Sequence, residues 1–481
     1  MKLTGSHSQI SSIPKMPTGI RGLDSILDGG LPVGRTILLS GGPGTGKTVL
    51  AVELLYRFAL AGEPGILLTF EEKADQIRTN AIAMGMNIAD LENEGKLKIL
   101  HVDVPHGAIR TGDYDIKGLL AIIEGQRKAL GAKRIVIDAI DMLMRIFGDP
   151  VREREEMYIL HDYLRELAIT VILTVKMNHA QEQVYPFLDF MADCVLSLDQ
   201  RMQGQVRTRR MKVLKYRGSR FLSNEHPFVL SAGGVVFMPV SSLSLDYRPS
   251  RKKVTSGNAG LDVVLGGGYH SGTCVMVAGL SGSGKTMVAC TFAQAACADG
   301  DKVLFVDFEV PLNIQTDLML SVGIDLRTAM ERGSLRMLNL LPESQGVEEH
   351  LLQILDSMES FQPDHVIIDA VSACRRMDSE EASFDFLLRL LTYCRERGMT
   401  CLLTNQVAGT EKPFGITRSD ISSLMDTLVV LQYADNDGQV SRRLMVIKSR
   451  GVNHSMQYHQ FTISDKGFDL VIGTDQRREQ R

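Results

Sequence analysis

The sequence predicts an α/β fold built twice in tandem, each half a mostly parallel sheet flanked by helices and closed by antiparallel hairpins. Three observations predict it. A glycine-rich stretch, "GGPGTGKT" at 41–48, recurs as "GLSGSGKT" at 279–286. The pairs Gly22/Gly260, Asp24/Asp262, Gly30/Gly268, Gly34/Gly272 and Lys47/Lys285 all stand 238 positions apart, with no gap between them. In each half, short β-branched runs alternate with segments whose apolar residues recur at helical spacing. A G-x-x-x-x-G-K-[ST] pattern arises by chance roughly 0.02 times in a chain of this composition. Two matches sharing one offset with four further positions mark an internal duplication. Further along the offset drifts, to 231 for Asp138/Asp369 and 233 for Arg217/Arg450, as small loop deletions produce. The domains are read as 1–242 and 243–481, meeting in "PVSSLSLDYRPSRKKVTSG", where Ser, Pro and basic residues replace apolar patterning.

The elements follow in order. In the first copy the strand "TILLS" feeds the loop and "TVLAVELLYRFAL" follows it as an amphipathic helix. Next come "GILLTF", "LKILHV", "RIVIDA" and "TVILTV", separated by helical stretches. The second copy matches with "TCVMVAG", "KVLFVDF", "LRMLNL", "HVIIDA" and "TCLLTN". Continuous apolar strands between helices mean a parallel sheet covered on both faces. Each copy ends in alternating strands, "DCVLSLDQ" with "RRMKVLKYRG" and "DTLVVLQYAD" with "RRLMVIKSRG", which read as antiparallel hairpins.

Composition bounds the class. Hydrophobic residues at 44% and charged residues at 23% suit a folded chain with sizeable cores, and a net charge of −4 implies no global pull toward nucleic acid or anionic membrane. No apolar run approaches the ~18 residues of a membrane helix. The N-terminal residues lack the apolar segment of a signal peptide. The seven cysteines form no C-x-x-C pair, so a reduced cytoplasmic location is expected.

A strand feeding a glycine-rich turn and then a helix aims several backbone N–H groups and the positive end of a helix dipole at one spot. The phosphates of a nucleotide would lie against Gly42, Gly44, Thr45 and Gly46 in the first copy, and Ser281, Gly282, Ser283 and Gly284 in the second. Lys47 and Lys285 would reach the β and γ phosphates, and the hydroxyls of Thr48 and Thr286 would ligate Mg²⁺. Asp138 and Asp369 each end an apolar strand at the carboxyl edge of the sheet, where they suit the metal. Glu71 lies 23 residues beyond Thr48, and Glu309 lies 23 beyond Thr286. That spacing makes both candidates for the catalytic base, with Glu72 beside the first and Val310 in its place beside the second. A cationic pair also repeats, Lys215 and Arg217 in "KYRG" and Lys448 and Arg450 in "KSRG". It reads either as a solvated strand edge or as phosphate-neutralising charge given to a neighbouring subunit.

Taken together, "GGLPVGRTILLSGGPGTGKT", "LLTFEE", "GLSGSGKT", "ITRSDISSLMDT", "LVVLQYADNDGQVSRRLMVIKSRG" and "FTISDKG" make the chain resemble the KaiC family of circadian-clock proteins, across nearly its whole length. The resemblance implies two tandem RecA-like P-loop NTPase domains, ATP and Mg²⁺ as cofactors, and a double-ring homohexamer with ATP held between adjacent subunits. It implies a slow ATPase in the first ring. In the second it implies a reversible serine/threonine autokinase acting on Ser422 and Ser423, with Thr417 upstream. It also implies a switch or timer read by a small KaiB-like partner. The first copy has "PFLDFMADCV" at the matching place, without a hydroxyl pair.

Two other readings remain. The stretch 200–224 carries Arg201, Arg207, Arg209, Arg210, Lys212, Lys215, Arg217 and Arg220 with no acid, as a RecA- or helicase-like DNA-binding ATPase would. Stacking aromatics are sparse there. Val310 leaves open an ATP-gated scaffold with hydrolysis in the first ring and no kinase activity.

Overall fold

The computed structural model describes residues 13–102, 116–177, 185–203, 206–239, 252–377, 379–407, 421–436, 439–465 and 467–470. The chain divides into two compact units, Met1–Met202 with Arg207–Ser242, and Leu243–Arg481 with Gln203–Val206.

The first unit holds a nine-stranded sheet. Its strands are β1 (Thr36–Gly41), β2 (Gly65–Thr69), β3 (Leu97–His101), β4 (Arg134–Asp138), β5 (Thr170–Lys176), β6 (Cys194–Gln203), β7 (Val206–Tyr216), β8 (His226–Ser231) and β9 (Gly234–Phe237). Across the sheet they run β3-β2-β4-β5-β1-β6-β7-β8-β9. The pairs from β3 to β6 are parallel, and β7-β8-β9 are antiparallel. The second unit repeats this with β10 (Cys274–Gly279), β11 (Val303–Asp307), β12 (Leu335–Asn339), β13 (His365–Asp369), β14 (Thr400–Gln406), β15 (Thr427–Asn436), β16 (Gln439–Ser449), β17 (His459–Ser464) and β18 (Gly467–Leu470). Their order, β12-β11-β13-β14-β10-β15-β16-β17-β18, matches the first sheet strand for strand.

Burial explains the apolar runs. Along β1, Ile37 and Leu39 enter one core with Leu67, Val136 and Ile172, whereas Leu38 enters the other with Ile66, Ile137 and Leu173. Alternate side chains therefore face opposite layers, and both layers are filled, so no polar alternation survives in these strands. Six helices position the site: α1 (Lys47–Leu60), α2 (Ala74–Ala83), α3 (Ile140–Met144), α4 (Phe187–Met191), α5 (Lys285–Ala298) and α6 (Ile421–Leu424). Among the described residues no helix is long and apolar enough to cross a membrane.

The repeated glycines and aspartates outside the loops are structural. A Cβ on Gly30 would lie 2.1 Å from the Met16 carbonyl oxygen, and one on Gly268 would lie 2.3 Å from that of Val254; both have positive φ. Only glycine fits so close to a neighbouring backbone. Asp24 accepts from the backbone N–H and hydroxyl of Thr18 at 2.8 and 2.7 Å. Asp262 does the same for the Ser256 N–H and the Thr255 hydroxyl at 2.7 and 2.6 Å.

Candidate nucleotide sites

Each loop leaves the carboxyl end of a central strand and turns into a helix, α1 or α5. Gly44 and Gly46 take φ of 74° and 98°, and Gly282 and Gly284 take 73° and 105°, so the turn needs residues without a Cβ. No side chain caps the first turn of either helix, so its backbone N–H groups stay available to an anion. Thr45 closes the first loop by donating to the Gly42 carbonyl at 2.9 Å. In the second loop Ser281 is exposed and Ser283 buried. Lys47 donates to the carbonyls of Gly41 and Gly42, each at 2.8 Å, and Lys285 to that of Leu280 at 2.8 Å. Burial lowers the pKa of both amines, against the raising effect of nearby carboxylates. A buried amine held only by loop carbonyls, at the mouth of an uncapped helix, fits a polyphosphate.

In each unit the two metal candidates lie side by side. Thr48 donates to Asp138 at 3.1 Å, and Thr174 of β5 binds the same carboxylate. In the second unit Thr286 and Thr404 hold Asp369. Burial raises the pKa of both carboxyls. Each aspartate precedes a cis peptide bond, to Ala139 and Ala370. Among the described residues no three acidic, His or Cys side chains converge as a metal site. A cation would therefore share its ligands between Thr48 or Thr286, the neighbouring aspartate and the phosphates.

The candidate bases differ between the units. Glu71 forms an ion pair with Lys176, the last residue of β5. Glu72 accepts from Asn80 of α2 at 3.3 Å, beside a cleft of about 70 Å³ that Thr48 and Met84 also line. Its pKa is raised by burial and by Asp138 and Glu71. Glu309 is exposed, and its backbone N–H donates to Asp307 at 2.7 Å. Asp307 stands where the first unit has Thr69, and a lone acid at a strand end carries no motif in the sequence. It lies beside Asp369 in the strand register. Burial pushes its pKa up to about 6. The second site thus lacks an acid at Val310 but gains one three residues earlier.

The cationic pairs do not reach the loops of their own units. The Lys215 amine donates to the Asp189 carbonyl at 2.6 Å and Arg217 to that of Phe190 at 2.8 Å, which holds the end of α4. Lys448 likewise holds Ser422 at 2.9 Å, and Arg450 holds Ser423 at 3.2 Å, both through backbone carbonyls at α6. Ser422 is buried and Ser423 exposed. Because β15 runs parallel to β10, α6 and its cations lie at the edge of the sheet opposite the loop. Thr417 lies outside the described residues. Within the basic stretch, Arg201 is paired with Asp199 at 2.7 Å and Glu225 at 2.9 Å. With Lys215 and Arg217 also engaged, the stretch offers fewer free cations than its composition suggests.

Comparison with known proteins resolves the family. A family model described as "ATPase: KaiC" matches residues 16–242 and again 254–474. The chain belongs to the KaiC family. It is 35% identical over 474 residues to the circadian clock protein KaiC2 of Synechocystis sp., covering 97% of this chain and 83% of that protein. It is 33% identical over 464 residues to the circadian clock oscillator protein KaiC of Thermostichus vulcanus, covering 96% and 89%. With KaiC of Synechococcus elongatus the figure is 32% over 474 residues, covering 98% and 91%. Each nine-stranded unit is thus one KaiC-type ATPase repeat, and ATP is the nucleotide that such a repeat uses.

Proposed function

We propose that the chain is an ATP-hydrolysing serine autokinase, a phosphorylation switch or timer assembled as a double-ring hexamer. The first repeat passes the terminal phosphate of ATP to water. The second passes it to Ser422 or Ser423 of a neighbouring protomer, and the same geometry permits the reverse transfer. The supporting observation is the divergence at one clamped helix. α4 and α6 are held by equivalent Lys and Arg pairs, yet Asp189 and Phe190 stand in the first where Ser422 and Ser423 stand in the second. A hydroxyl pair is present in one repeat alone.

In the second repeat, Gly282, Gly284, Lys285 and Thr286 would hold the triphosphate in line with the incoming hydroxyl. Mg²⁺, when bound, would neutralise charge on the phosphates. Glu309 accepts the serine proton, the hydroxyl oxygen bonds to the γ phosphorus, and the bridging P–O bond breaks with its electron pair leaving on ADP. Lys448 and Arg450 lie on the same sheet edge as the serines, so they arrive at the neighbour's phosphates with them. A cation supplied in trans at such a site is worth about 10³-fold or more in rate. A small KaiB-like protein is the partner expected to read the phosphorylated state.

Incubating the full chain with labelled ATP and Mg²⁺, then mapping the label by mass spectrometry, tests the reading. Label on Ser422 or Ser423, lost in Glu309→Gln, is expected. Released phosphate with an unlabelled chain would reduce the second repeat to a scaffold.

A further inference from the structure

The first site contains a chain of polar contacts that neither the repeat nor the family match assigns. Lys176 ends β5 and is paired in register with Gly41, where the phosphate loop begins. Its backbone N–H donates to Asp141 of α3 at 3.2 Å. Asp141 is 1% exposed, and its other oxygen is buried with no hydrogen-bond partner among the described residues. The Lys176 amine in turn binds Glu71. Lys47 lies within electrostatic reach of all three, as well as of Asp138. These groups therefore crowd the place where a γ phosphate would sit.

The second repeat keeps the backbone part of this chain of contacts but not its charges. Gln406 is paired in register with Gly279, and its N–H donates to the Ser372 hydroxyl at 3.3 Å. Neither side chain is ionic, and no ion pair is seen at Glu309 among the described residues. The exchange sits where the two proposed chemistries part. A serine arrives already aimed by its own helix, whereas water has no tether and takes its direction from the group that binds its proton. A base for water must therefore itself be held, since a glutamate at a strand end is otherwise free to change rotamer.

We propose that Lys176 is a positioning residue for hydrolysis at the first site: pinned through its backbone by Asp141, it holds the Glu71 carboxylate in the orientation from which it activates water. Glu71 takes one proton from that water and later releases it to solvent. The water oxygen bonds to the γ phosphorus, and the β,γ-bridging P–O bond breaks with its electron pair leaving on ADP. This inference rests on reading the first site as the hydrolytic one with Glu71 as base.

The test uses the full chain carrying Lys285→Ala, so that phosphate release reports the first site. Lys176→Gln installs the residue already present in the folded second repeat. It should lower kcat about tenfold, the scale of a misaligned acid–base group. KM, the melting temperature and the affinity for a fluorescent non-hydrolysable ATP analogue should stay within about threefold or a few degrees of the parent. Lys176→Arg, which keeps the charge, should restore kcat to within about threefold. Glu71→Gln should abolish most turnover, and adding Lys176→Gln to it should cost nothing further, since the lysine acts through the glutamate. An unchanged kcat in Lys176→Gln, or a loss that multiplies with that of Glu71→Gln, overturns the positioning role while leaving the base in place. Weakened analogue binding at normal kcat would make Lys176 a phosphate ligand and overturn it as well. Full activity in Glu71→Gln removes the base assignment, and the inference with it.

Discussion

Asp307 shows how one exchange between repeats changes a site. Where the first unit has Thr69, whose hydroxyl accepts the Glu72 N–H at 3.2 Å, the second has a carboxylate. That carboxylate accepts the N–H groups of Glu309 and Val310 at 2.7 and 2.8 Å. Its second oxygen is buried without a hydrogen-bond partner among the described residues. Burial is the main reason its pKa rises from an ordinary 3.8 to about 6, opposed by those two hydrogen bonds. Between these values the folded chain keeps a proton that the unfolded chain has released. Stability from this residue is therefore full below about pH 4 and falls as pH rises through about 6. Asp307→Asn should remove the loss. In nucleotide- and magnesium-free protein its advantage over the parent should widen by about 1 kcal/mol between about pH 5 and pH 7.5. Calorimetry at several pH values measures it, and a gap that stays constant with pH would mean that burial does not perturb the carboxyl. A substitution of one acid for one hydroxyl leaves no motif, so this residue was not legible before the strands were paired.

At the scale of elements, α6 is a four-residue helix fastened from outside. Asp426, just beyond it, accepts from Arg395 at 3.1 Å, from Arg450 at 3.3 Å and from the Cys274 N–H at 3.0 Å. Asp193 holds the matching place in the first unit, with Arg35 at 3.2 Å and Arg217 at 3.7 Å. So short a helix has little stability of its own, and the network sets where its serines lie. Asp426→Ala leaves two guanidinium groups and a strand N–H without their carboxylate, which costs about 3 kcal/mol for a largely buried pair. The transition of the second unit should shift down accordingly, while first-site ATP turnover is retained. Loss of first-site turnover as well would show the effect to be global unfolding. The strands and the loop helices could be read from apolar runs and the P-loop pattern. The clamp on α6 could not, because "KSRG" looks the same whether it binds a carbonyl or a phosphate.

At the scale of the whole molecule, the decisive fact is a direction. β10 and β15 run parallel with Val275 opposite Thr427. The loop follows the end of β10, whereas Ser422 and Ser423 precede the start of β15. The six residues of β10 separate the loop from the serines by about 20 Å, far beyond the ~3 Å contact that phosphoryl transfer needs. The proposed transfer to these serines therefore cannot occur within one chain, and a head-to-tail association whose rotation closes into a ring would bring the two edges together. Mixing two variants tests this. Lys285→Ala chains lack a working second loop, and chains with both Ser422→Ala and Ser423→Ala lack the acceptor. Neither alone should take up label, and after mixing the label should appear on the serines of the Lys285→Ala chains. Lys285→Ala chains that stay unlabelled after mixing would contradict transfer between chains.

The sequence by itself determined the duplication, the order of strands and helices, and the loop, lysine, threonine and aspartate of each site. Those features depend on local backbone chemistry and on regular apolar spacing, which one strand of text carries in full. Tertiary structure alone decided that Lys176 binds Glu71, that Asp307 faces Asp369, and that the serines lie at the edge away from the loop. These are relations between segments far apart in the chain, and they exist only once strands have chosen their neighbours and directions.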